Sequence, residues 1–399
     1  PRPQRGGGTG VTFFLVTSLI KLLVVFTILM LGIALVTLFE RRVCAWMQDR
    51  IGPNRVGPFG LLQPAADGLK NIIKEETYPA AANFWMFILA PAVSFTPAML
   101  TFAVIPFGAT LPTKWGDVPL VVADLPVGFL YILAIASLGV YGIVLAGWSS
   151  NNKYALLGGL RASAQMISYE IAMGMSTVAV LLVAGNVALS QVVAGQQESI
   201  VHWNIFPLSL AFFVFFVAAV AETNRVPFDL PEAEPELVAG YHAEYSSMKF
   251  SMFIIAEYSN MVTASALMVT LFFGGWDIPF THWDDSGAPT VLKTIATAGV
   301  FFAKVFSFIF LYIWVRWTLP RFRYDQLMAL GWKVMLPFAL IYLTVIATAI
   351  WFFHDLLGWA YDTRFSLALF AVNVALAVPL IFVVDRGRIV SGSVVRRSA

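Results

Sequence analysis

Nine long apolar runs decide what this chain can become. They lie at about 11–39, 84–107, 119–147, 162–185, 205–221, 250–274, 291–316, 334–353 and 364–384. Several exceed the roughly 18 residues that carry a helix across a ~30 Å hydrocarbon layer. Leu-, Phe- and Ala-rich runs of that length exclude a barrel, whose strands alternate over about 10 residues. The expected fold is all-α: a polytopic transmembrane helical bundle of about nine spans. A hydrophobic content of 59% with only 12% charged residues agrees. The net charge of +2 gives no reason to expect nucleic acid as a partner.

Cations set the orientation. The loops after odd-numbered runs, with the C-terminal tail, hold 17 of the 25 Lys and Arg. The N-terminus and the other loops hold four: Arg2, Arg5, Lys114 and Arg364. The positive-inside rule then expects the N-terminus outside and the C-terminus in the cytoplasm. No charged-then-apolar segment ends in a small-residue cleavage site, so no cleaved signal is expected. With Cys44 alone and His202, His242, His282 and His354 all outside the runs, no disulfide and no redox centre is expected in this chain.

The residues 221–250, AETNRVPFDLPEAEPELVAGYHAEYSSMKF, sit between two apolar runs. They hold six carboxylates (Glu222, Asp229, Glu232, Glu234, Glu236, Glu244) against Arg225 and Lys249. Pro227, Pro231 and Pro235 bar a continuous helix. Acids this close repel, which raises at least one pKa toward neutrality. The stretch is either a proton-active connection or a solvated acidic loop. Arg225 and Asp229, at i and i+4, can also pair with each other.

The loop at 40–83 reads ERRVCAWMQDRIGPNRVGPFGLLQPAADGLKNIIKEETYP over most of its length. IGPNRVGPFG is turn chemistry. Leu61, Leu62, Ala65, Ala66, Leu69, Ile72 and Ile73 then recur at helical spacing, with Asp67, Lys70, Asn71 and Lys74 opposite. This predicts a short amphipathic helix at the membrane surface. Asp67 and Lys70 can form a plain surface pair. Charges within the runs are few. Glu170 follows 166–169, Glu257 lies about a third of the way into the sixth run, and Asp124 opens the third. Lys304 lies near the middle of the seventh, with Lys293 and Arg316 at its ends. A central Lys cannot snorkel, so Lys304 is expected to face the interior near a carboxylate or water.

These segments resemble one family: the membrane subunit of respiratory complex I that joins its peripheral and membrane arms, the H subunit of NADH-quinone oxidoreductase. The resemblance rests on the 40–83 and 221–250 stretches above, on GWSSNNKYALLGGLRASAQMISYE, and on LPRFRYDQLMALGWK, in that family's order. It covers about 15–353. It implies a component of a proton-translocating NADH:quinone oxidoreductase, with quinone as substrate and no bound cofactor of its own. Flavin and iron–sulfur clusters are expected on partner subunits only. The implied partners are hydrophilic quinone-site subunits, neighbouring membrane subunits and lipid. The implied place is the bacterial cell membrane, ahead of the mitochondrial inner membrane.

Matched residue by residue, the resemblance implies that Arg41, Asp67, Arg225 and Asp229 surround the quinone cavity. It assigns a proton path to Glu222, Glu232, Glu234, Glu244, Glu170 with Arg161 nearby, Glu257, Lys304 and Arg316. Within this path Glu170 is the expected partner of Glu257, and Lys304 a candidate counter-charge. Residues 1–10 form an N-terminal extension, 11–353 an eight-span core, and 354–399 a ninth span with a basic tail outside the family pattern. Two other readings stand beside this one. A docking subunit of a membrane-bound hydrogenase would share the architecture without quinone. An ion channel or antiporter would use the intramembrane charges but leave the long loops unexplained.

Overall fold

The computed structural model describes residues 7–114, 116–197, 199–230, 238–281, 283 and 288–385. Glu232, Glu234 and Glu236 lie outside them, and so does the expected mutual repulsion of these three acids. The chain is helical almost throughout. The helices are α1 (Gly7–Met47), α2 (Gln63–Ile73), α3 (Phe84–Leu100), α4 (Gly128–Ser149), α5 (Lys153–Ala184) and α6 (Leu189–Ala194). They are followed by α7 (Ser209–Glu222), α8 (Ser247–Phe272), α9 (Val291–Thr318), α10 (Tyr324–Leu356) and α11 (Thr363–Asp385). A two-stranded hairpin, β1 (Leu111–Thr113) with β2 (Gly116–Val118), lies between α3 and α4.

Among the described residues, seven helices are long and apolar enough to cross a membrane. The fifth apolar run forms the shorter α7, and the ninth forms α11. The ends of the helices have local causes. Asn152 caps α5 by accepting from Tyr154 N at 2.9 Å, and Gly185, with φ 63°, closes it in the left-handed region. The third run was expected to start helical at 119, with Asp124 opening it; α4 starts instead at Gly128. Pro126 keeps Leu125 out of the helical region, and Asp124 remains in the loop, accepting from the Ser190 hydroxyl at 2.9 Å. At the other extreme α1 runs through Glu40, Arg41 and Arg42 to Met47. Val43, Cys44 and Ala45 are buried on the bundle side and keep that last stretch helical.

α5 is the central post, packed by α4, α7 and α10. α8 packs α3 on one side and α1, α7 and α9 on others. Small residues permit the closest approaches. A Cβ on Gly142 of α4 would lie 2.6 Å from the Ser94 nitrogen of α3, so only glycine fits there. The predicted amphipathic helix is α2. It rests on α1 and α8, with Leu69, Ile72 and Ile73 exposed. Its far end is stapled to the start of α8. The Ser247 hydroxyl donates to Asn71 O at 2.8 Å and Lys74 O at 2.9 Å, and Lys249 Nζ meets Glu76 Oε2 at 2.5 Å.

Candidate functional site

The densest charge cluster forms where α1, α8, α9 and the stretch after α7 converge. α7 ends at Glu222, and the backbone turns sharply; Asn224 has φ 51°. Fully buried Gln165 of α5 fixes that turn. Its amide nitrogen donates to Ala221 O at 2.7 Å, Phe228 O at 2.9 Å and Asn224 Oδ1 at 3.1 Å. The turn delivers Arg225, only 5% exposed, into the bundle. There Arg225 Nη1 donates to Glu40 at 3.2 Å, and Arg225 Nε lies 2.6 Å from Glu257 Oε1 as an ion pair. Its guanidinium also stacks 4.3 Å over the Tyr258 ring. Glu40 completes the cluster by accepting from Tyr258 OH at 2.7 Å and from Arg316. Two anions and two cations are thus neutralised in place. Removing one would strand a buried charge, which typically costs about 3–5 kcal/mol.

Two larger cavities lie nearby, the first of them bordered by the cluster itself. One of about 410 Å³ is lined by Glu40, Arg41, Arg50, Tyr258, Arg316 and Trp317. The other, about 300 Å³ and mostly apolar, lies among α1, α2 and α8, lined by Met30, Ile33, Ile72, Met248, Ile254 and Ile255. Arg41 borders both. Across the second, Arg41 pairs with Asp67 of α2 at 2.6 Å. Gln63 also donates to Asp67, at 3.0 Å, so the Asp67 carboxylate is taken by Arg41 and Gln63 rather than by Lys70.

A third, small polar cavity of about 30 Å³ lies on the far side of Glu257. It exceeds the roughly 10–15 Å³ that one water needs. Glu222, Asn224, Tyr241, Glu257 and Asn260 line it. Glu170 of α5 and Tyr312 of α9 both lie close enough to Glu222 for their charges to interact.

The structure therefore brings together Arg41 with Asp67, and Arg225 with Glu257 and Arg316. It brings Glu222 to Glu170 and to the Glu257 cavity. It separates other expected neighbours. Arg225 and Asp229 do not pair: Arg225 is turned inward to Glu40 and Glu257, and Asp229 takes Arg321 at 3.1 Å. The direct partner of Glu257 is Arg225, not Glu170 or Lys304. Lys304 Nζ instead donates to the carbonyls of Phe273, Gly275 and Asp277 at 2.8, 3.1 and 2.7 Å. That is about 24 Å along α8 from Glu257 by helix rise. These carbonyls belong to the turn that follows α8, where an ammonium supplies the donor that buried main-chain oxygens need. Arg161 lies over the Tyr324 ring at 5.4 Å, two and a half turns of α5 before Glu170. Glu244 accepts from Asn152 Nδ2 at 2.7 Å. Among the described residues no group of three or more His, Cys, Asp or Glu is arranged to hold a metal.

Sequence reasoning missed Glu40 and Tyr258. Glu40 reads as the first residue of a loop because two arginines follow it. The available signal was a carboxylate ending a long apolar run, the same criterion that singled out Glu170 and Glu257.

Fold and site together define a polytopic helical membrane protein that keeps a neutralised ion cluster inside its bundle, with cavities on either side of it. The sequence profile of the family described as NADH dehydrogenase matches residues 20–347. One of the NADH-quinone oxidoreductase H subunits of Cytophaga hutchinsonii is 50% identical over 342 residues, covering 85% of this chain and 98% of that protein. The counterpart in Leptospira biflexa is 51% identical over 331 residues, 80% of this chain and 91% of that protein. One from Koribacter versatilis is 49% identical over 349 residues, 84% of this chain and 98% of that protein. The chain belongs to the family of NADH-quinone oxidoreductase H subunits.

Proposed function

We propose that this chain is the membrane component of a proton-pumping NADH:quinone oxidoreductase in which quinone is housed and its reduction coupled to proton movement. Quinone has a long apolar tail and a polar head. The apolar cavity between α1, α2 and α8 suits the tail, and the charged cavity beyond Arg41 suits the head; both volumes fall in or near the usual range for ligand sites. In this reading Arg41, Asp67, Arg225 and Asp229 shape the chamber, and hydrophilic partner subunits close it. Those partners carry the flavin and iron–sulfur clusters that supply electrons. Residues 11–353 form the working core in the bacterial plasma membrane, and 354–399 add the ninth span and tail.

Reducing quinone takes up two electrons and two protons, and the proton donors must be refilled. The single observation that carries the coupling is the placement of Glu257. One side of it touches Arg225 at 2.6 Å, and the other borders the small polar cavity shared with Glu222. A charge change at the chamber therefore reaches Glu257 through Arg225 and Glu40. Proton transfer continues through a water-sized space to Glu222 and Glu170. Glu232, Glu234 and Glu244 belong to the loop that supplies protons to Glu222. Arg316 and Arg225 together hold the charge of Glu40, and Arg161 lies at a more distant point of the same path, whereas Lys304, on main-chain carbonyls, has no step in it.

Glu257→Gln keeps the shape and removes the titration. The expected result is an assembled complex with reduced proton translocation in proteoliposomes, quinone reduction falling in step. Glu257→Asp should be milder. Full quinone-linked turnover with full pumping in the Gln variant would remove Glu257 from the path.

A further inference from the structure

α7 starts without a cap of its own. It has 14 residues, about 21 Å of helix against a ~30 Å hydrocarbon layer. Leu208 precedes it and offers no side-chain acceptor. The first N–H groups of a helix lack partners within it, and at bilayer depth water does not supply them. Two side chains from later helices take this role. Asn373 Oδ1 of α11 accepts from Leu210 N at 3.3 Å, and the Tyr342 hydroxyl of α10 meets the Ala211 backbone. Tyr342 also donates to Asn373 Oδ1 at 2.9 Å. The Asn373 amide nitrogen donates to Pro207 O at 2.5 Å and to Leu369 O at 2.9 Å.

The side chain of Asn373 is thus fully used, and the residue is 1% exposed. Phe365 and Leu369, two turns and one turn earlier, are buried on the same face of α11, whereas Leu367, Val374 and Val378 face outward. An amide pulled from these partners within an apolar bundle leaves its polar atoms unsatisfied, so α11 is held at one height. α11 also lies outside residues 20–347, which the family profile matches. An added helix therefore caps a helix of the core.

We propose that Asn373 is a positioning residue for Glu222: α11 fixes the axial height of α7, and α7 carries that height to its other end. Leu210 and Glu222 are 12 residues apart on one helix, a stiff rod of about 18 Å. A rod released at Leu210 shifts Glu222 against Glu170 and against the small cavity shared with Glu257. The proposal rests on the reading of Glu222 as a member of the proton path, and the test separates the two.

The test compares assembled complexes carrying Asn373→Leu, Tyr342→Phe, Glu222→Gln and the double variant Asn373→Leu with Glu222→Gln. Assembly is checked by NADH oxidation with an artificial acceptor that bypasses quinone. The readout is protons moved per electron in proteoliposomes. Asn373→Leu should lower that ratio about twofold or more, Tyr342→Phe should lower it less, and the double variant should be no worse than Glu222→Gln alone, since coupled residues are non-additive. A wild-type ratio in Asn373→Leu, at whatever yield, overturns the proposal, as do losses that multiply in the double variant. If Asn373→Leu fails to assemble, Tyr342→Phe combined with Glu222→Gln carries the same cycle with the same criteria. A wild-type ratio in Glu222→Gln would overturn the reading of Glu222 itself. A defect there with none in the assembled Asn373 or Tyr342 variants overturns only the positioning role.

Discussion

Two cations inside this bundle are held in opposite ways. Arg225 is surrounded by side-chain carboxylates, Glu40 and Glu257, delivered by two helices. Lys304 donates to three main-chain carbonyls of the turn after α8 and lies 4.2 Å over the Trp203 ring. Carboxylates take up and release protons, so the Arg225 site changes its charge balance when one of them titrates. Main-chain carbonyls do not titrate, so the three bonds that they accept from Lys304 are the same at every pH at which it stays charged. The first arrangement suits coupling and the second suits fixing a helix end. In sequence Arg225 reads as one cation among six carboxylates and Lys304 as a lone cation in an apolar run, and neither reading names the groups that hold it.

The largest effect expected from this contrast is at Arg225. Arg225→Gln leaves Glu40 and Glu257 with too little compensation and should lower stability by about 3–5 kcal/mol. The amount and thermal stability of the purified complex measure this. Arg225→Lys should recover only part, because an ammonium lacks the planar fork that serves two carboxylates and stacks on Tyr258. A Gln variant as stable as the parent would break the comparison from one side.

Lys304→Met tests the other side. It leaves the carbonyls of the turn after α8 without this donor, a loss of about 1–3 kcal/mol, while protons moved per electron should stay near the parental value. Loss of pumping at unchanged stability would show that Lys304 works as a titrating group, and the contrast with Arg225 would fall.

An exposed pair gives the lower bound. The Lys249 ammonium donates to Glu76 and, with the Tyr78 hydroxyl, holds its carboxyl below the usual glutamate range. A depressed folded-state pKa stabilises above the unfolded value and loses that contribution as pH falls through the folded one. Glu76→Gln should therefore cost no more than about 0.5 kcal/mol near neutral pH, solvent screening the rest. The difference in thermal stability from the parent should shrink as pH is lowered through the glutamate range. A difference that grows on acidification would contradict the pairing.

The spans were legible because each is a long unbroken apolar run, and α2 because its two faces differ in residue type. The pairings were not. Arg225 meets Glu40 across 185 residues of chain, and nothing local marks that choice. Local spacing pointed instead to Asp229, which the turn held by Gln165 aims elsewhere. Lys304 was legible as interior, but the three oxygens it donates to are backbone atoms, and backbone carries no sequence signature. α7 looked like an ordinary span in composition; its missing cap shows only when Asn373, a polar residue deep in the ninth run, is seen to fill it.

The Glu40 cluster has a consequence for how the chain is made. Glu40 leaves the ribosome early, on the first helix, whereas Arg225 and Arg316 follow 185 and 276 residues later. At about 5–20 residues per second, the first counter-charge arrives roughly 10–40 s after the carboxylate it neutralises. During that interval Glu40 lacks both arginines and must stay hydrated at the bilayer edge. The cluster is thus a late closure: α1 is made well before the arginines that lock it.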